Sequence, residues 1–192
     1  MKRNWIILGL VAVAVVAVFV SGRWNNDKQD GLTDHQVAAQ RELEEKLKTA
    51  PKKGSAAPAF TLQSLDGSKS YEVGGARDKV LIVNFWAAWC YPCELEAPDL
   101  VRLSEKYKDS FDLYAVNATK YDRLKAAKAF VEEHGFTFPV QPDADNVAGE
   151  KYVVYSYPMS FIIGKDGVIR ERIEGVIPIE QWEKHLEAAI AS

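Results

Sequence analysis

The chain has 192 residues, 27% of them charged and 47% hydrophobic, with a formal net charge of −3. These proportions fit a globular protein, exclude wholesale disorder, and allow one ordinary domain with accessory segments. The slightly acidic balance offers no electrostatic footprint for nucleic acid, and 2 cysteines are too few for a multi-bridge scaffold or a four-cysteine zinc site.

Met1-Lys2-Arg3 opens the chain on positive charge, and residues 4–22 follow without a charged side chain, rich in Val, Ala, Ile and Leu. That run is just long enough for a spanning helix, which takes about 17–25 apolar residues. Trp5 and Trp24 bracket it, as interfacial aromatics do. The preferred reading is an uncleaved single-pass anchor over residues 1–23. The competing one is a cleaved secretory signal, for which Val20-Ser21-Gly22 is a poor cleavage site. Lys2 and Arg3 precede the run and Arg23 and Lys28 follow it, so orientation rests on the denser charge of the short side, which favours the tail inside and the body outside.

Residues 24–54 read as a polar linker and a stalk helix. Thr33 or Asp34 caps that helix, and Val37, Leu43 and Leu47 give it a thin apolar stripe among charges. A dimerising helix is the alternative to a solvated stalk. Pro51 and Gly54 end the segment.

Residues 55–192 change pattern to short strands alternating with helices. Ala59–Leu62 and Ser70–Val73 flank Asp66-Gly67 as a hairpin. Lys79–Trp86 is a continuous apolar run, the mark of a strand buried on both faces. A helix follows over Cys90–Tyr107, then a strand over Phe111–Val116. Asp122 caps a helix with Leu124, Ala127, Phe130 and Val131 on one face, and Gly135 ends it. Phe138-Pro139-Val140 reads as a short strand and Val147–Tyr152 as a short helix. Met159–Ile163 and Val168–Ile173 form a hairpin around Lys165-Asp166-Gly167, and Ile179–Ala191 closes the chain as a helix with Trp182, Leu186 and Ile190 at helical spacing. The alternation predicts an α/β fold with a mixed sheet flanked by helices.

Both cysteines lie in Trp89-Cys90-Tyr91-Pro92-Cys93, where the buried strand turns into a helix. Cysteines at i and i+3 of a first helical turn fall within the separation that a disulfide tolerates. So small a loop hardly restricts the unfolded chain, which suits a bridge that cycles better than one that staples; a plain bridge or two buried thiols is the alternative. Zinc needs three or four ligands, and His35, His134 and His185 are far away in sequence, so no metal is expected. Cys90 heads the helix, where free N–H groups and the helix dipole stabilise a thiolate. It is the candidate nucleophile, Cys93 the resolving thiol, and Pro92 stiffens the turn where a missing donor costs nothing.

The stretch Val83–Pro98, Val-Asn-Phe-Trp-Ala-Ala-Trp-Cys-Tyr-Pro-Cys-Glu-Leu-Glu-Ala-Pro, strongly resembles the active site of the thioredoxin superfamily, most of all its membrane-anchored TlpA/ResA-like thiol–disulfide oxidoreductases. Ala57-Pro58-Ala59-Phe60 and Tyr157-Pro158-Met159-Ser160-Phe161 match further motifs in the same order. The resemblance implies a thioredoxin-like fold with an N-terminal hairpin and a strand–helix insertion over about residues 116–140. It implies that Pro158 is a cis proline facing the cysteines, cis being accessible at X–Pro bonds, and that Pro98 kinks the active-site helix. It implies an acid/base role for Glu96, whose alternative reading is an exposed helix glutamate. Trp89, Tyr91, Pro92, Tyr157 and Pro158 are the candidate substrate-binding residues. Asn84 stands where many thioredoxins carry a buried aspartate, and Tyr157 where relatives have Thr or Val. Trp86 is read as core. No cofactor is expected beyond the Cys90–Cys93 disulfide. The implied partners are disulfide-containing proteins such as apocytochrome c, and a membrane electron donor of the CcdA type, with the catalytic domain on the extracytoplasmic side of the cell membrane. Two other functions compete. A peroxide-reducing relative needs a Pro-x-x-x-Thr-x-x-Cys pattern that Trp86-Ala87-Ala88-Trp89-Cys90 does not supply. A non-catalytic binding module leaves the intact cysteine pair unexplained.

Overall fold

The computed structural model describes residues 34–192, and the anchor expected over residues 1–23 lies outside them, as does Thr33. Among the described residues no helix is long and apolar enough to cross a membrane. Helix α1 (Asp34–Thr49) carries Leu43 and Leu47 exposed. Its charged face is laced by the i,i+4 pair Lys46–Glu42 at 2.9 Å, an exposed pair of a kind that contributes only about 0.3–0.5 kcal/mol.

Residues 49–192 form a separate compact unit. It begins with strands β1 (Phe60–Gln63) and β2 (Ser70–Val73), which pair antiparallel. Their turn is held by Asp66, whose carboxylate accepts from the Ser68 N–H and the Ser64 and Ser68 hydroxyls. Those hydrogen bonds hold its carboxyl well below the usual range. The remaining strands are β3 (Val80–Trp86), β4 (Phe111–Asn117), β5 (Val140–Pro142), β6 (Met159–Ile163) and β7 (Ile169–Glu174). They form one mixed sheet in the order β5-β4-β3-β6-β7. Helix α2 (Tyr91–Lys106) follows β3, α3 (Leu124–Glu133) follows β4, α4 (Val147–Lys151) follows β5, and α5 (Ile179–Ile190) closes the chain. The thioredoxin-like α/β fold, its hairpin and its strand–helix insertion are as expected from the sequence.

Every residue of β3 is buried, because β3 has a core on each face. Val80, Ile82 and Trp86 join Leu100 and Leu103 of α2, Phe130 of α3, and Trp182 and Leu186 of α5. Leu81, Val83 and Phe85 point the other way, into a core with Phe60, Tyr152 and Phe161. Tyr152 stacks edge-on against Phe60 and Phe161, and its hydroxyl donates to the Pro58 carbonyl at 3.0 Å. The two-residue period of β3 puts Asn84 on the α2 face.

Three local expectations need correction. The fifth strand begins at Val140, not Phe138; Pro139 has no N–H to give the ladder, which starts with its carbonyl accepting from Ala115 N–H at 2.9 Å. Leu124, the first residue of α3, is exposed rather than on its buried face, which Ala127 and Phe130 form. The N-cap of α3 is Arg123, without a side-chain cap; the Asp122 carboxylate is committed elsewhere.

Tyr152 tests how far the hairpin depends on this second core. Tyr152→Phe should cost about 1 kcal/mol, the worth of one buried hydrogen bond, and Tyr152→Ala about 3–5 kcal/mol, as large-to-small core changes do. Chemical denaturation followed by tryptophan fluorescence reads both.

Candidate active site

Strand register decides what meets at the end of β3. On one side β4 runs parallel with Trp86 opposite Asn117, so residues following 117 lie beside residues following 86. On the other side β6 runs antiparallel with Phe85 opposite Met159, so residues preceding 159 reach the same place. The Trp89-Cys90 turn is thus flanked by the β4–α3 loop and by the Tyr157-Pro158 loop. The Trp89 and Tyr157 rings touch edge-to-face, with centroids 5.8 Å apart.

Cys90 is the N-cap of α2, with extended backbone, and its Sγ accepts the Cys93 backbone N–H at 3.2 Å. Cys90 and Cys93 are joined as a disulfide with Cα atoms 5.3 Å apart. Cys90 is 5% exposed and Cys93 3%. Pro92 occupies the first turn of α2, where its missing N–H has no helical partner to lose. Tyr91, between the cysteines, is 67% exposed and Trp89 60%. The Tyr157-Pro158 peptide bond is cis, as the resemblance implied, and Pro158 is buried. Burial pushes the Tyr157 hydroxyl up to about 12, with Tyr121 and Asp143 adding to it.

Glu96 is a buried residue, 1% exposed, one turn beyond Cys93 on the same side of α2; the exposed-glutamate reading does not hold. Asn84 explains how a carboxyl sits there. Its Nδ2 donates to Glu96 Oε2 at 2.8 Å and to Ser160 Oγ at 2.9 Å, while Glu96 Oε1 has no hydrogen-bond partner. Burial, opposed by the Asn84 hydrogen bond and reinforced by Asp99, pushes the Glu96 carboxyl up to about 8. Sequence reasoning missed Ser160; its signal was the β6 position directly across from Asn84. Pro98 lies inside a continuous α2. The histidines stay apart: His35 is on α1, His134 caps the C-terminus of α3, and His185 faces Glu171 at 3.5 Å. Among the described residues no group of His, Cys, Asp or Glu is arranged to hold a metal.

A Cys-x-x-Cys disulfide at a helix N-terminus, on this sheet, defines a thiol–disulfide oxidoreductase of the thioredoxin superfamily. Comparison with known proteins agrees. Residues 53–172 match the model of the AhpC/TSA family, and the chain belongs to it. The thiol-disulfide oxidoreductase ResA of Geobacillus kaustophilus is 37% identical over 142 residues, 73% of this chain and 80% of that protein. The thioredoxin-like protein YneN of Bacillus subtilis is 35% identical over 135 residues, 70% of this chain and 78% of that one. A Chlorobium tepidum crystal structure assigned as a DsbE-type thiol:disulfide interchange protein superimposes with a TM-score of 0.65 at 28% identity, covering 73% of this chain and 99% of that one.

The Glu96 carboxyl carries a test of the buried arrangement. In the folded protein it keeps its proton up to about pH 8, whereas an ordinary glutamate releases it near 4.5. The folded state therefore binds more protons across that interval, and stability falls as pH rises through it, levelling above. Glu96→Gln removes this loss while preserving an acceptor for Asn84. Thermal unfolding of the oxidised protein should show the variant gaining on the wild type from about pH 5 to about pH 8; a difference independent of pH would exclude Glu96 as the titrating group.

Proposed function

We propose that the protein is a membrane-tethered reductase of disulfides in extracytoplasmic proteins, serving cytochrome c maturation. The observation that carries the reading is the Cys90–Cys93 disulfide at the N-cap of α2, with the buried Glu96 carboxyl one turn further along the same helix. In the reduced enzyme the Cys90 thiolate attacks a substrate disulfide, forming a Cys90–substrate bond and releasing the first substrate thiolate. In the fraction of the mixed disulfide whose Glu96 is ionised, the carboxylate takes the Cys93 proton, the Cys93 thiolate attacks the Cys90 sulfur, and the second substrate thiolate leaves. The substrate gains two electrons, the pair loses two, and Glu96 ends protonated. A membrane donor of the CcdA type then reduces the disulfide again. Trp89, Tyr91 and Pro92 on one side and Tyr157 and Pro158 on the other form the surface that an incoming polypeptide meets. Tethering rests on the apolar run of residues 4–22 behind Lys2 and Arg3, and the cytochrome substrate on likeness to proteins named ResA.

Cys90→Ala should abolish reduction of insulin disulfides, and Cys93→Ala should accumulate a mixed disulfide with substrate that mass spectrometry identifies. Glu96→Gln should slow resolution of that mixed disulfide by roughly 10²–10⁴-fold, the usual worth of a positioned acid/base, measured at about pH 8, where the wild-type carboxyl ionises. The reduction potential should lie nearer the thioredoxin value of about −270 mV than the DsbA value of about −120 mV; an oxidising potential would reverse the proposed direction. Membrane fractionation of the full chain against one starting at residue 24 tests the tether, which predicts release of the shorter chain into the soluble fraction.

A further inference from the structure

The nucleophile turn is held from outside by two consecutive residues of the insertion. Ala87 O accepts the Cys90 N–H at 3.1 Å, making Ala88 and Trp89 the two central residues of a turn that delivers Cys90 to the helix N-cap. Both are tethered to the β4–α3 loop. The Ala88 backbone N–H donates to Asp122 Oδ2 at 2.7 Å, and the Trp89 indole Nε1–H donates to the Tyr121 carbonyl at 3.1 Å. The loop is itself pinned. Asn117, fully buried at the end of β4, donates from Nδ2 to the same Asp122 Oδ2 at 2.9 Å, and its Oδ1 accepts the Thr119 hydroxyl at 2.7 Å. Asp122 Oδ1 accepts the Arg123 N–H at 2.7 Å, and Ala118 N–H donates to the Trp86 carbonyl at 2.9 Å.

We propose that Asp122, through the Ala88 N–H, and Tyr121, through the Trp89 indole, are positioning residues for disulfide exchange that hold the Ala87–Cys90 turn so that the Cys90 sulfur stays at the N-cap of α2. This deepens the thiol–disulfide oxidoreductase reading and rests on it. The carboxylate is the right group for the place. It gathers three N–H donors, the main-chain N–H groups of Ala88 and Arg123 and the side-chain amide of Asn117. The Cys90 sulfur in turn depends on the turn's geometry, because the Cys93 N–H reaches it only while Cys90 is held as N-cap. A turn freed to drift lets the thiolate lose that donor and the helix N-terminus, and its pKa returns toward the free-cysteine value of about 8.5.

The test uses the reduced full-length protein and two readouts. The pH midpoint of Cys90 alkylation by iodoacetamide needs no protein substrate, and kcat/KM on insulin disulfides measures the exchange itself. Asp122→Ala should raise the alkylation midpoint and lower kcat/KM by roughly ten- to a hundred-fold, the scale of a misplacement of about 1 Å. Asp122→Asn, which keeps an acceptor for Ala88 and Asn117 and gives up only the one for Arg123, should restore most of both. Trp89→Phe, which removes only the indole donor, should raise the midpoint by itself, and it keeps the question open to measurement if Asp122→Ala does not fold. Unchanged midpoints in the folded variants, with stability alone reduced, would overturn the proposal. So would an Asp122→Asn variant as impaired as Asp122→Ala, since charge rather than the held turn would then be responsible. A wild type that fails to reduce insulin disulfides would instead count against the reductase reading and leave the alkylation result standing.

Discussion

Strand β3 lies between a parallel neighbour and an antiparallel one, and the rest of the site depends on that. A strand so placed has its C-terminal end beside the C-terminal end of β4 and the N-terminal end of β6. Three loops of distant sequence converge there without any long excursion of the chain. The requirement explains the composition of β3: a strand covered on both faces must be apolar throughout. The one polar side chain it admits, Asn84, is paired on both sides of its amide nitrogen.

That single polar insertion controls the electrostatics of the interior. A carboxylate at this position would face the Glu96 carboxyl directly, and two acids in a dry space push each other toward protonation. An amide there donates to Glu96 instead, which moderates the cost of burial without cancelling it, so in the oxidised protein the carboxyl is pushed up to about 8. The departure of residue 84 from the aspartate of many thioredoxins and the burial of Glu96 are one arrangement. Here the buried carboxyl is carried by the helix and the strand supplies its hydrogen-bond donor.

Much of this was legible in the sequence because local physics and global fold agree. The continuous run of β3, the alternating hairpin around Asp66-Gly67, and the proline-bearing cysteine turn each have one dominant local reading. The predicted ends fell within a residue or two for most elements. What stayed hidden depended on partners remote in sequence. Asp122 has the form of a helix cap, and nothing local says that the Ala88 N–H, 34 residues away, offers it a better use. Glu96 could be placed on the side of the cysteines by helical spacing, but its burial follows from what β3 and β6 set against it.

The sulfur of Cys90 is stabilised by a main-chain N–H and by the end of a helix, groups that every residue type other than proline supplies at those positions. The side chains around it that reach solvent, Trp89 and Tyr91, contribute nothing to that stabilisation through Tyr91 and only an external tether through Trp89. The groups that meet the Cys90 sulfur are therefore main-chain ones, while the most exposed side chains beside it do not touch it. Substituting Tyr91, which is 67% exposed, would leave the donors to the Cys90 sulfur in place.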